Sequence, residues 1–251
     1  MTKRDDSSPE RFDATVYWQQ RLAANPGLKG TGTSFMPEAW QRWLYRAKET
    51  AYRDLLARNQ VTVDGARVLD FGCGTGFFED LWQRAGARAI AGIDIVPEVI
   101  ARLSVAHPER TYLCADIGSD AAPLTTLGTF DVVTAIDVLY HVVDDALVER
   151  ILDALISSVE KSGVFVFSDA LADSRPAPHV KFRDVDWWGR ALATRGLQIR
   201  GLEPVAIVHN RPNPLARRFP GPVGAAQFYA DRLLKRIVPG RANNWAVLAS
   251  A

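Results

Sequence analysis

Val68-Leu69-Asp70-Phe71-Gly72-Cys73-Gly74-Thr75-Gly76-Phe77-Phe78 is the stretch whose reading decides the fold. Apolar residues from Ala66 to Leu69 run into an acid and then into alternate glycines, beyond which Phe77, Phe78, Leu81, Trp82 and Ala85 recur at helical spacing. That order reads as strand, tight loop, helix. Glycine suits such a loop because, lacking a Cβ, it reaches positive φ and lets backbone N–H groups come close to a ligand. The loop is a candidate cofactor seat, and its spacing discriminates among cofactors. The dinucleotide fingerprint GxGxxG would put its third glycine where Phe77 stands. A phosphate-cradling loop needs Lys and then Ser or Thr after its last glycine, where Phe77 and Phe78 stand. Both phosphate readings weaken.

Outward from the loop the chain alternates strand and helix. A strand from Arg88 to Ile93 ends at Asp94, near where an α/β nucleotide-binding unit carries its ribose-binding acid, and Pro97 opens the next helix. A short strand from Tyr112 to Ala115 ends at Asp116-Ile117, and an apolar strand from Phe130 to Ile136 ends at Asp137. Asp144 or Asp145 caps a helix carrying Leu147, Ile151, Leu152, Leu155 and Ile156. Ser162-Gly163 turns into a strand, Val164 to Phe167. The pattern predicts an α/β fold with a doubly wound, mostly parallel sheet. Such sheets bind ligands at the C-terminal ends of their strands, where Asp70, Asp94, Asp116 and Asp137 stand. Each alone reads equally well as a loop acid capping a turn; four at strand ends together favour a site.

Asp70 to Gly76 resembles the first motif of the class I S-adenosylmethionine-dependent methyltransferases, and the resemblance extends from Val68 to Asp169. It implies a Rossmann-like seven-stranded sheet with the last strand antiparallel, and an enzyme that uses S-adenosylmethionine and releases S-adenosylhomocysteine. The division it implies is an N-terminal helical cap (1–64) and a cofactor-binding core (65–251) with an insert (209–244) before the last strand. The implied cofactor site is Asp70, Gly72, Cys73, Gly74, Asp94, Ile95, Asp116, Ile117 and Ile136. Within it Asp94 takes the ribose, Asp116 and the Ile117 backbone the adenine, Gly72 and Gly74 the methionine end, and Asp70 orders the loop. Tyr17 joins the set if the N-terminal segment folds over as a lid. The implied reaction is methyl transfer to a small molecule in natural-product biosynthesis, O-methylation first, with N- and C-methylation open.

Transfer from a sulfonium is an in-line displacement, so the protein must align the groups and exclude water. A hydroxyl acceptor also needs a base. His141 is the candidate, since imidazole titrates near neutrality and it follows the fourth core strand closely; Asp137 is the second. The other reading of His141 is packing against the cofactor or capping the next helix. No metal is expected: Asp137, Asp144, Asp145 and Asp169 suggest magnesium only if they converge, and Asp144 and Asp145 are placed as helix caps.

A net charge of +1 gives no global bias towards nucleic acid or membrane, and neither is expected as a partner. No apolar leader opens the sequence, and no span of about 18 apolar residues occurs. Cys73 and Cys114, both in predicted core elements, form no disulfide framework, and a cytoplasmic protein is expected. Tyr17, Trp18, Arg21 and Gly30 to Ser34 read as a lid or as the apolar face of a docking helix. His179 to Arg183, the end of the polar loop Asp173 to Arg183, and the insert 209–244 are the expected second wall. The insert holds Arg211, Arg217, Arg218, Arg232, Lys235, Arg236 and Arg241 against one acid, Asp231. These bases suit an anionic acceptor or form a solvated face. The alternatives are a nicotinamide-dependent oxidoreductase, a methyltransferase of RNA or protein, and a cofactor-binding module without turnover. Oligomeric state is not legible.

Overall fold

The computed structural model describes residues 13–25, 27–209 and 214–251; the polar Met1–Arg11 segment, expected to be mobile, and Arg211 lie outside the described residues. Three helices come first, α1 (Ala14–Ala24), α2 (Leu28–Thr31) and α3 (Glu38–Arg58). The alternating body is β1 (Arg67–Phe71), α4 (Phe77–Arg84), β2 (Ala89–Asp94), α5 (Pro97–Ala106), β3 (Thr111–Cys114), α6 (Ala122–Thr125), β4 (Phe130–Ala135), α7 (Asp145–Ser157) and β5 (Val159–Asp169). A hairpin of β6 (Ser174–Ala177) and β7 (Val180–Phe182) leads to α8 (Val185–Ala193) and β8 (Gln198–Ala206). Then come α9 (Pro214–Arg218), α10 (Pro220–Ile237) and β9 (Asn244–Ser250).

Among the described residues the main sheet has seven strands in the order β3-β2-β1-β4-β5-β9-β8. Strands β1 to β5 run parallel, and β9 lies antiparallel between β5 and β8, which is the fold expected. The strands are apolar without alternation because helices cover both faces. Leu69, Val133, Phe165 and Phe167 pack with Leu152, Leu155, Trp188 and Leu192 of α7 and α8. Their neighbours Val68, Val132, Val164 and Val166 turn to the other face, against Tyr52 and Leu55 of α3 and Leu81 and Trp82 of α4. Chain order reverses between β2 and β4, around β1, and this opens a crevice at the strands' C-terminal ends.

Two local expectations are corrected. Cys114 is exposed rather than core, because β3 is the edge strand. The Asp173 to Arg183 stretch is not a polar loop but contains the β6–β7 hairpin, in which Pro176 is tolerated because that two-stranded ribbon has free edges. The 209–244 stretch, read from sequence only as locally basic, carries α9 and α10, and Pro220 and Pro222 sit in the first turn of α10, where proline's missing N–H and fixed φ are no handicap. Helix α3 packs along β8 and against α10, so the helices before the sheet and those before its last strand form one wall. No helix among the described residues is long and apolar enough to cross a membrane.

Candidate active site

The glycine loop is built for close approach. Gly72 and Gly74 lie at φ +74° and +53°; a Cβ would come within 2.6 Å of Val138 Cγ2 at the first and 2.7 Å of Thr31 Cγ2 at the second. Both positions thus exclude other residues by conformation and by space. The loop forms one wall of a cavity of about 550 Å³ at the ends of β1, β2 and β4. Of the residues expected from sequence, Gly72, Cys73, Gly74, Asp94, Ile95, Asp116, Ile136, Asp137 and His141 line it.

Three expected residues do not. Asp70 lies beneath the loop, where its carboxyl accepts from Thr134 Oγ1 at 2.6 Å and burial pushes its pKa up to about 7. The Ile117 side chain points into the apolar core. Tyr17 sits one layer out: its ring stacks on His179 at 4.7 Å, and its hydroxyl lies 3.2 Å from His179 Nε2 and 3.0 Å from Arg21 Nη1. Trp18 beside it does line the cavity, meeting His141 edge to face at 4.7 Å. Arg21 also donates to the carbonyls of Gly30 (2.7 Å) and Gly32 (2.5 Å), tying α1 to the α2 segment.

The strand-end acids are individually committed. Asp94 accepts from the backbone N–H groups of Gly74 and Val96, both at 3.0 Å; burial raises its pKa and these hydrogen bonds oppose the rise. Asp116 accepts from the Gly118 N–H at 3.2 Å and from Ser119 Oγ at 2.7 Å. Asp137, a non-glycine residue at φ +57°, is ion-paired to Lys48 Nζ of α3 at 2.5 Å, with the two side chains 11% and 9% exposed. Ser168 Oγ donates to Asp137 Oδ1 at 3.1 Å and accepts the Asp137 N–H at 2.8 Å. Burial, the largest influence, pushes the Asp137 pKa up, but Lys48 with hydrogen bonds from Lys48, Ser168 and Tyr140 outweighs it and holds the carboxyl below its ordinary range. Lys48 and Ser168 are absent from the sequence-derived set. The signal for Lys48 was its place on the apolar stripe of α3, level with Leu44, Ala51 and Leu55, where a buried lysine requires a partner.

His141, in the 3-10 turn after β4, has Nδ1 3.0 Å from the backbone oxygen of His179. A carbonyl only accepts, so Nδ1 carries the hydrogen and Nε2 keeps its lone pair. Burial pushes the imidazole pKa down to about 4, which keeps the ring neutral at pH 7. The carboxylates weighed as magnesium ligands are engaged elsewhere. Asp144 caps α7 through the Ala146 N–H (2.9 Å), Asp145 pairs with Lys181 (2.7 Å) and Arg183 (2.9 Å), and Asp169 accepts from Trp188 Nε1 (3.0 Å). Burial pushes the Cys73 thiol well up, so it is not a thiolate nucleophile.

This fold and crevice, with a glycine cradle and strand-end acids, define a cofactor-binding α/β domain. The methyltransferase domain family matches residues 35–215, and the chain belongs to that family, within the class I S-adenosylmethionine-dependent methyltransferases. The ribosomal protein L11 methyltransferase of Burkholderia ambifaria is 28% identical over 172 residues, covering 66% of this chain and 49% of that protein. The ubiquinone biosynthesis O-methyltransferase of Albidiferax ferrireducens is 36% identical over 115 residues, 43% of this chain and 42% of that protein. The chain thus spans about half the length, or less, of the curated relatives it matches. Among solved structures, the N-methyltransferase NodS from Bradyrhizobium japonicum WM9, in complex with S-adenosyl-L-homocysteine, shares the fold with a TM-score of 0.59 at 18% identity, covering 94% of this chain and 95% of that one. An S-adenosylmethionine-dependent methyltransferase from Clostridium acetobutylicum aligns with a TM-score of 0.55 at 12% identity, over 82% and 91%. The site fits the family's cofactor on its own terms: Gly72 and Gly74, which Val138 and Thr31 leave no room to replace, line the cavity, and a carboxylate stands at the end of β2.

Proposed function

We propose that this chain methylates a small-molecule acceptor, O-methylation first, with N- and C-methylation as the other chemistries the same cavity admits. When bound, S-adenosylmethionine supplies a sulfonium-activated methyl group. In this reading the Gly72–Gly74 backbone holds the methionine end, Asp94 the ribose hydroxyls, and Asp116 with the Ile117 backbone the adenine. Ile95, Cys73 and Ile136 form the apolar walls between them. Asp70 orders the loop from below through Thr134.

The observation that carries the acceptor half is His141. Its Nδ1 hydrogen is committed to the His179 carbonyl, so Nε2 is the atom that takes a proton from an acceptor hydroxyl. Asp137 is poorly suited to that task, because its pairing with Lys48 lowers its basicity. It acts instead as a positioning residue, fixing the turn that carries Tyr140 and His141. Trp18 and the α1 segment, pinned to the hairpin through Tyr17 and His179, keep water out. Arg175 in the lining offers a cation to an anionic group on the acceptor. The volume of the cavity and this cover support a small acceptor over a folded macromolecule.

The test is calorimetric titration with S-adenosylmethionine, S-adenosylhomocysteine and NADH, repeated on Asp94→Ala. Micromolar binding of the first two, weakened about 10- to 100-fold by loss of a charged hydrogen-bond acceptor, is expected. NADH binding alone would overturn the assignment. A screen of hydroxylated and carboxylated small molecules, with a ribosomal protein as the contrasting acceptor, then tests the substrate class.

A further inference from the structure

Helix α10 buries one face and exposes an apolar stripe on the opposite one. Gly224, Phe228 and Asp231 form the buried one. Phe228 stacks near Trp43 of α3 with ring centres 5.6 Å apart, and a Cβ at Gly224 would meet Trp43 Cδ1 at 2.8 Å. The opposite face carries Pro222, Ala226, Tyr229, Ala230, Leu233 and Ile237, every one exposed. At about 100° per residue they fall within an arc of roughly 100°. Tyr229, Leu233 and Ile237 are 60%, 60% and 64% exposed, although at those positions charged side chains would serve solubility better.

Charge within the α9–α10 segment has one sign at the surface. Arg232 and Arg236 border it, Arg217 and Arg218 lie exposed on α9, and Arg241 follows the helix end. The one acid between Pro214 and Asn244 is Asp231, which is 1% exposed. It accepts the backbone N–H groups of Ile207, Val208 and His209 at 3.0, 2.8 and 3.0 Å, so its charge is directed inward and also fixes the helix against the end of β8.

We propose that this outward face of α10 docks on an anionic lipid surface, with Tyr229, Leu233 and Ile237 entering the boundary between headgroups and acyl chains while the flanking arginines meet lipid phosphates. An aliphatic stripe edged by arginines is the pattern of a helix that lies in a membrane interface. A second copy of the chain fits less well: a two-fold contact through this face sets arginines against arginines with no exposed acid in the segment to offset them. The inference stands apart from the methyl-transfer reading. It departs from the expectation of no membrane partner, which rested on a net charge summed over the whole chain and therefore did not see this local excess.

The experiment is co-sedimentation of the full chain with vesicles of phosphatidylcholine alone and of phosphatidylcholine mixed with phosphatidylglycerol. The expected result is binding to the mixed vesicles only. Arg232→Ala with Arg236→Ala is expected to weaken it about 30-fold, roughly fivefold for each cation near the surface. Leu233→Gln with Ile237→Gln is expected to weaken it at least about tenfold through lost apolar burial. Both pairs are outward-facing and leave cofactor affinity and the thermal midpoint unchanged. Binding that survives Leu233→Gln with Ile237→Gln overturns the proposal in favour of charge-driven adhesion. Absence of vesicle binding overturns it as well, and self-association abolished by that variant would then assign the face to a second copy.

Discussion

Lys48→Met tests whether the site rests on the buried pair at its floor. The substitution keeps the length and apolar stem of the side chain and removes only the cation, leaving Asp137 with its hydrogen bonds from Ser168 and Tyr140. Because both partners are about nine-tenths buried, solvent cannot replace the lost charge. Breaking one side of such a pair costs about 3–5 kcal/mol, and the surviving hydrogen bonds place this case near about 3. Its pH dependence has a definite sign. In the wild type the Asp137 pKa lies below its ordinary 3.8, so its contribution is full above that value and is lost as pH falls through the lower folded value. Without Lys48, burial prevails and the folded pKa rises above 3.8. The folded state then holds a proton that the unfolded state has released, and stability falls as pH rises. Lys48→Met should therefore be more damaging at pH 8 than at pH 5, and Asp137→Asn in the same chain should restore much of the loss. Urea unfolding followed by tryptophan fluorescence reads this directly, since Trp40, Trp82 and Trp188 are fully buried. A loss under about 1 kcal/mol at pH 8, or the same loss at both pH values, would show that the pair is not the buried, mutually dependent unit argued above.

Gly72→Ala is expected to lower stability by about 1–3 kcal/mol and to weaken cofactor binding, since the new methyl meets Val138 at a φ that alanine rarely adopts; unfolding and calorimetry together measure both effects. His141→Gln should lower kcat by about 10²–10⁴-fold with little change in cofactor affinity, and the wild-type acid limb should lie near the lowered pKa of about 4 rather than 6.5; an acid limb near 6.5 would contradict a buried, neutral base. Glu79, buried beside the glycine loop with Oε1 unpartnered among the described residues, has its pKa pushed up to about 8, chiefly by burial. The folded state thus holds its proton longer than the unfolded, stability declines as pH rises from about 4.5 to 8, and Glu79→Gln should flatten that decline in a pH series of urea midpoints.

What was legible in the sequence follows from which physical signals are local. The strand, glycine loop and helix around Gly72 are set by periodicity and backbone freedom within about a dozen residues, and the acids at strand ends share a crevice because parallel strands must place their C-terminal ends together. Lys48 and Ser168 escaped because their partner Asp137 lies 89 and 31 residues away: the apolar stripe of α3 says that Lys48 needs a partner, but no local pattern says which. Cys114 was misplaced for a related reason: the sequence shows a strand but not that the strand is the edge of the sheet. Tyr17 and Trp18 are adjacent in the chain, yet only helical geometry decides that Trp18 faces the cavity and Tyr17 the hairpin. Helix α10 went unread in the sequence, although Pro220 and Pro222 fall in its N-terminal turn, where they do not oppose a helix.

The position of β9 has a consequence for how the chain reaches this structure. It is the last strand of the sheet in chain order but an interior one in space, held by β5 on one side and β8 on the other. Until Asn244–Ser250 is seated, both neighbours present an open edge, and α3, made about 200 residues earlier, has only part of the surface it covers. On the ribosome the N-terminal wall must therefore wait for the final strand. The species that waits carries two unpaired β edges, so a refolding yield that falls with protein concentration, rather than a slow first-order phase, is the signature this topology should leave.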